Sequence, residues 1–242
     1  MKLKAFIAIT GAFAMTFANA GDAKAPIVIE DDLGATISTG YETSYIFRGE
    51  IRGDNAIWTG LDYTLTELPV DVDLGVYYVN PTDSRNQGND DELHISAAVA
   101  GPSFAGFDSA VSVTAFLYPE AGADETYEVA LGVSRSLGIV DIYASVHYDF
   151  EIEAWYAEAG AEKAFGISDN MDLVIASGVS YQDDYHTSGS DFNHAYVSAS
   201  LPISLRSNVT LTPYVAGLFA LDALENAQDD EVHGGVSISV NF

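Results

Sequence analysis

The sequence predicts an all-β protein: a transmembrane, antiparallel, up-and-down β-barrel of about twelve strands. Three observations point there. Segments of roughly ten residues alternate apolar and polar along most of the chain, placing the two sets on opposite faces of strands. The connections alternate between short turns and longer, mostly acidic loops, as in barrels with both termini in the periplasm. The chain ends Val236-Ser237-Ile238-Ser239-Val240-Asn241-Phe242, an alternating strand that stops on an aromatic ring. A soluble sandwich gains nothing from that last feature. A barrel does, because its final strand closes on the first and the ring lies at the membrane interface.

Before the first strand, residues 1–20 read as a signal peptide. Lys2 and Lys4 form a basic start, Ala5–Phe17 an apolar middle, and Ala18-Asn19-Ala20 a small-x-small cleavage site. Residues 21–34 form a periplasmic lead-in that carries Glu30-Asp31-Asp32, and residues 35–242 the barrel. Beyond residue 20 no apolar run approaches the roughly 20 residues a spanning helix needs.

The first strand covers about Ala35–Phe47, with Ile37, Thr39, Tyr41, Thr43, Tyr45 and Phe47 on one face and Ser38, Gly40, Glu42, Ser44 and Arg48 on the other. Gly49–Asn55 follows as a loop of middling length. The second strand, about Ala56–Leu65, sets Ile57, Leu61 and Tyr63 against Gly60, Asp62 and Thr64; the third, about Val70–Val79, sets Val72, Leu74, Val76 and Tyr78 against Asp71, Asp73 and Gly75. The pattern continues through Leu93–Ala100, Phe107–Tyr118, Tyr127–Ser136, Val140–Phe150, Trp155–Phe165, Met171–Tyr181, Ala195–Ile203, Val209–Leu221 and Val232–Phe242. These lengths match the 9–11 residues that a tilted strand needs to cross a bilayer; ten or fourteen strands are the alternatives. Apolar-face aromatics gather at both strand ends. Tyr45, Phe47, Tyr78, Tyr127, Tyr148, Phe150, Trp155, Tyr181 and Phe219 lie at the loop side, and Tyr63, Phe107, Phe165 and Phe242 at the turn side, as two girdles.

Composition narrows the function. The net charge is −27, and loss of Lys2 and Lys4 with the signal peptide takes it to −29. That excludes nucleic-acid binding, which needs basic surface, and docking on anionic lipid through a basic patch. The absence of cysteine removes disulfides and thiol chemistry.

By parity the lumen receives Asp62, Asp71, Asp73, Asp108, Asp141, Glu158, Glu162 and Asp172, most of them near the periplasmic end, where a ring of carboxylates would favour cations. The alternative is a generic polar lining. Trp58, Tyr77, Tyr118, Tyr143 and Tyr214 also point inward and narrow any passage. Arg48, His94, His147, His194 and His233 fall at the lumen mouth; histidine there could bind metal or sense pH, against a plain polar-lining role. The acidic clusters Asp90-Asp91-Glu92, Asp183-Asp184 and Asp229-Asp230-Glu231 lack the spacing of a calcium-binding helix-loop-helix and read as solvated charge. No metal site, cofactor or catalytic residue is assigned. Nucleophile-elbow, zinc-protease and phosphate-loop motifs are missing, and nothing pairs a particular serine with a particular histidine, so an enzyme is not expected.

The segment Gly40-Tyr41-Glu42-Thr43-Ser44-Tyr45-Ile46-Phe47-Arg48-Gly49 resembles the opening of the TorF-type family of small porins, whose first strand ends in Tyr-x-Phe-Arg-Gly ahead of an aromatic-rich second strand. Trp58, Asp62-Tyr63 and Gly75-Val76-Tyr77 continue the likeness more weakly, and Tyr78-Val79-Asn80-Pro81 replaces the Trp and Ser-Asn the family carries there. The resemblance implies a channel-like protein of the Gram-negative outer membrane, with Arg48 facing the lumen or its mouth and paired with a nearby carboxylate. The expectation is therefore a porin-like channel for passive diffusion of small solutes, with cation preference. The alternative is a non-conducting structural or surface-interaction barrel with acidic extracellular loops. Expected partners are outer-membrane lipid and lipopolysaccharide, the barrel-assembly machinery reading Phe242, and small solutes; the oligomeric state is open.

Overall fold

A lipid-spanning strand must bond all of its backbone groups to neighbouring strands, so a sheet in a membrane has to close on itself. The computed structural model, which describes residues 33–66, 68–84, 91–119 and 124–242, has this form. The signal peptide and lead-in expected over residues 1–32 lie outside the described residues.

The strands are β1 (Ala35–Phe47), β2 (Glu50–Leu65), β3 (Val72–Ser84), β4 (Glu92–Ala100), β5 (Asp108–Leu117), β6 (Thr126–Ser136), β7 (Asp141–Asp149), β8 (Ala154–Ser168), β9 (Met171–Asp183), β10 (Ser190–Ser200), β11 (Ile203–Arg206), β12 (Val209–Ala220) and β13 (Glu231–Asn241). Sequence neighbours pair antiparallel, and β1 pairs β13 from Thr36↔Asn241 to Glu42↔Gly235, which closes the barrel. Both β10 and β11 lie between β9 and β12, separated by Leu201-Pro202, so they are two pieces of one stave and the wall has twelve. Pro202 has no N–H to give the ladder, which is why the stave breaks there. Its carbonyl still accepts from Asp172 N at 3.2 Å. The two chain ends meet at one rim: Leu33 N donates to Phe242 O at 2.7 Å and Phe242 N to Ala35 O at 2.9 Å.

The faces are inverted relative to a soluble protein. Ile37, Ile57, Leu61, Val111, Val113, Leu131 and Val236 are exposed outside, while Glu42, Asp62, Asp73, Thr114, Glu128 and His147 are buried inside. Tyr63, Trp155, Phe165 and Phe242 are exposed toward the strand ends. Such an exterior calls for lipid rather than water.

The first hairpin departs from the sequence expectation. Residues 49–55 are not a loop: β2 begins at Glu50, and the turn is Arg48-Gly49 alone, with φ of 51° and 88°. Two successive positive φ values are the signature of the tight hairpin turn whose twist matches its strands. Tyr45 and Phe47 are not in the outer girdle; both are buried inside. The pairing of β1 with β13 ends at Glu42, a register shift follows between Tyr45 and Ile46, and the tip of the β1–β2 hairpin leaves the wall and folds across the lumen.

The reason lies in Tyr45-Ile46-Phe47. A wall strand has one oily face, and three apolar side chains in a row need cover on two. Inside the barrel they find it. Tyr45 and Phe47 pack with Ala56, Tyr77, Val79 and Phe116, while Ile46 packs with Ile51 and Leu218. Each such burial contributes roughly 1.5–3 kcal/mol.

The inside–outside assignment yields a direct check. Val113→Arg, on the lipid side at mid-strand, should cost about 2–4 kcal/mol in urea unfolding from lipid vesicles, whereas the neighbouring lumen substitution Ser112→Arg should cost far less. Equal costs would contradict the faces described.

Candidate functional site

The hairpin turn delivers Arg48 to the far wall. Its two terminal nitrogens take the two carboxylate oxygens of Glu128 on β6, a forked pairing. Nη1 also donates to the Tyr185 hydroxyl, which in turn donates to Glu128 Oε2 at 3.3 Å. His147 Nδ1 lies 2.9 Å from Arg48 Nη2 and 2.8 Å from Glu128 Oε1, accepting from the first or donating to the second according to its tautomer. The guanidinium lies 5.1 Å from the ring centre of Phe47, 4.9 Å from Tyr156 and 5.0 Å from Tyr185. Within about 6 Å, ring faces attract a cation. The side chains of Arg48 and Glu128 are only 7% and 1% exposed. Burial alone would weaken the Arg48 proton, but the Glu128 carboxylate outweighs it and the guanidinium stays charged. Burial also lifts the Tyr185 phenol above its ordinary value, so it remains a donor.

The tip's backbone is gripped as well. Arg48 O accepts from Asn193 Nδ2 at 2.7 Å and lies 3.1 Å from His186 Nε2. Gln228 donates to Gly49 O at 2.6 Å and accepts from Ile51 N at 3.1 Å. Gly49 is required here on two counts: its φ is positive, and a Cβ would come within 2.2 Å of His194 Nδ1. Behind the tip, Arg52 pairs with Glu92 on β4 and with Glu50 at 3.1 Å. Glu92 also holds His94 Nε2 at 2.8 Å and the Tyr45 hydroxyl at 2.7 Å.

Below the hairpin the lumen changes character. A Cβ added to Gly132, on the same inner row of β6 as Glu128, would meet nothing within 4 Å, whereas Trp58, Tyr143 and Tyr196 lie over Gly40, Gly160 and Gly178. Asp62 and Asp73 are buried on the inner faces of β2 and β3, with Thr64 Oγ1 donating to Asp73 at 2.7 Å. Asp141 on β7 stands directly opposite Glu162 on β8. Asp71 and Asp172 lie toward the rim, and Asp108 accepts from Ser103 at 2.6 Å. These acids therefore gather in two groups on opposing walls, β2–β3 and β7–β9, with Asp108 between them on β5. Glu158 is higher, bonded by the Tyr156 hydroxyl at 2.6 Å. Glu42, buried on β1, takes the Tyr214 hydroxyl at 3.1 Å while its Oε1 has no partner among the described residues.

The barrel has counterparts among solved structures. The KdgM porin superposes with a TM-score of 0.56 at 7% identity, over 86% of this chain and 99% of that one. An outer membrane channel from Pseudomonas putida F1 gives 0.59 at 11% identity, over 89% and 100%. The NanC porin gives 0.53 at 10% identity, over 86% and 98%. The fold is that of outer-membrane β-barrels. No protein-family model matches the sequence, and no curated protein matches it.

Of the residues expected at the mouth, Arg48, His147 and His194 converge on the hairpin tip, and His94 joins its base through Glu92. His233 stands apart on β13, 6.0 Å ring to ring from Tyr214. Glu92, read from the sequence as solvated charge, is instead buried inside against Arg52 and His94; the sequence offered no partner for Glu128 and did not single out Arg52, Tyr185, Asn193 or Gln228. Their partners lie far along the chain, and the one local signal is the unbroken Tyr45-Ile46-Phe47 before Arg48-Gly49. The fold also brings Ser180 Oγ within 2.6 Å of His194 Nδ1, but that hydroxyl additionally bonds the His194 backbone N and O, and both side chains are buried beneath Gly49. The pair works as a strut between β9 and β10.

Removing one partner of a buried ion pair costs about 3–5 kcal/mol, because the other charge is left uncompensated. Glu128→Gln should therefore release the tip, with faster amide hydrogen exchange at Gly49 and Ile51 while the β6–β7 ladder stays protected. Unchanged exchange at the tip would show that the pairing does not hold the hairpin.

Proposed function

We propose that the protein is a narrow outer-membrane channel for passive diffusion of small solutes, cation-preferring, with its own β1–β2 hairpin as the closure at the outer mouth. One observation carries this reading: two groups of carboxylates face each other across a lumen that is not filled along its whole wall. A purely structural barrel would fill its interior along the whole length. Here Trp58, Tyr143 and Tyr196 reach in over Gly40, Gly160 and Gly178, but open space remains beside Gly132 and two facing groups of carboxylates line the turn side. Carboxylates lining a narrow passage favour cations over anions.

The KdgM porin has been solved with a disordered oligogalacturonate. A chain of uronate carboxylates would be repelled by this interior, so the supported solute class is different here. The Tyr45–Gly49 motif that resembles TorF-type small porins is the tip of the closing hairpin itself, which agrees with a channel whose distinguishing feature is its closure. Insertion through an assembly machinery reading the exposed terminal Phe242, and lipopolysaccharide around the outer girdle, belong to the same proposal.

A second reading, a permanently plugged structural barrel, is favoured by the dense grip of Asn193, His186 and Gln228 on the tip. Planar-bilayer recording of the purified chain separates the two. The channel reading expects discrete current steps with a cation-selective reversal potential; silence in repeated reconstitutions with verified insertion favours the plug. Reversing Asp71, Asp73 and Asp172 to Lys should move the reversal potential toward anion preference, and an unmoved potential would remove these residues from selectivity.

A further inference from the structure

We propose that Glu128, His147, Tyr156 and Tyr185 form a guanidinium-binding site on the lumen wall, which Arg48 fills in cis to latch the hairpin, and that free guanidinium-bearing cations are its ligand class. The gating consequence rests on the channel reading; the site itself does not.

The geometry matches a planar fork rather than a generic positive charge. Glu128 offers both oxygens to both terminal nitrogens, which a compact ammonium cannot reproduce. The Tyr156 and Tyr185 rings lie 4.9 and 5.0 Å from the guanidinium carbon, and both belong to the wall and its loop, not to the hairpin. Tyr185 and His147 complete the cradle with a hydroxyl and a ring nitrogen. Everything but Phe47 would therefore remain if the hairpin swung away.

What would be left behind is a deeply buried carboxylate that has lost its forked cation and keeps only the His147 ring and the Tyr185 hydroxyl beside it. That state is costly, so the latch resists simple opening. A solute carrying its own guanidinium removes the cost by taking the place of Arg48. Opening becomes an exchange of one cation for another, selective for the chemistry of the solute. Arg48 has the advantage of being tethered, which gives it a high effective concentration. The site is therefore best exposed by removing its occupant.

The test uses the full processed chain, as wild type, Arg48→Ala and Arg48→Ala/Glu128→Gln, probed with N-ethylguanidinium, the fragment that the alanine variant lacks. In detergent the probe should raise the melting temperature of Arg48→Ala at concentrations that leave wild type unchanged, and bind about tenfold more weakly once Glu128 is also replaced. In bilayers Arg48→Ala should pass more current than wild type, and the probe should bring that current back down. Arg48→Gln, which keeps the stem without the charge, serves the same comparison if the alanine variant does not fold. No melting shift and no block in the Arg48 variant would overturn the site, as would an equal effect from ethylammonium. A melting shift in proteins that never conduct would uphold the site and overturn the channel reading instead.

Discussion

Lipid offers backbone amides and carbonyls no partner, and that constraint organises the molecule. It obliges the sheet to close, from Thr36↔Asn241 at one rim around to β1 again. Closure fixes an inside and an outside, and the two-residue period of a strand then sorts every side chain between them. The oily set goes to the acyl chains and the polar set is confined within. The acidic interior follows directly, since in a chain of net charge −27 the charged residues available to fill it are largely acidic.

Confinement creates the second problem. Carboxylates crowded in a narrow, poorly hydrated space need cations, and the chain has nine Lys and Arg in all. Two of them, Arg48 and Arg52, ride on one hairpin and reach Glu128 and Glu92 on walls that the strand ladder would otherwise keep distant. The hairpin does two tasks with one bend. It buries the apolar run that a wall strand cannot place, and it carries compensating charge to the buried acids of the mouth. Lower down no such compensation exists among the described residues: Asp141 faces Glu162, and Asp62 lies near Asp73. In the proposed channel, counter-charge there would come from cations in solution.

The parts of this arrangement governed by local pattern were legible in the sequence. β1 ends at Ala35 and Phe47, β9 starts at Met171 and β12 at Val209 as the alternation indicates, because period and turn residues are properties of neighbouring positions. The closed barrel follows from counting them. Two local signals misled for one physical reason. Tyr45 and Phe47 share parity with Ile37 and Tyr41, yet a register shift and a two-residue turn rotate them off the wall, so parity cannot be carried across a bulge. The stave at β10–β11 shows the milder case, in which Pro202 breaks the ladder but β9 and β12 hold both pieces in line. The latch was not legible at all. Arg48 and Glu128 are 80 residues apart, and only closure of the wall makes them neighbours.

In the proposed channel, selectivity and closure fall on different levels of the same tube. The acids that would choose charge sit on β2–β3 and β7–β9 near the rim where the termini meet, and the latch sits at the opposite mouth. Between them the inner row of β6 passes from Glu128 through Ala130 to Gly132, where a Cβ would meet nothing within 4 Å. Substitutions with no shared partners behave additively, so changes at one level should leave the other intact. A barrel plugged for stability alone has no reason to keep them apart, or to leave the wall beside Gly132 uncovered while rings cover Gly40, Gly160 and Gly178. The open space beneath a tightly held tip is the feature that a static plug leaves without a purpose and a latched channel needs.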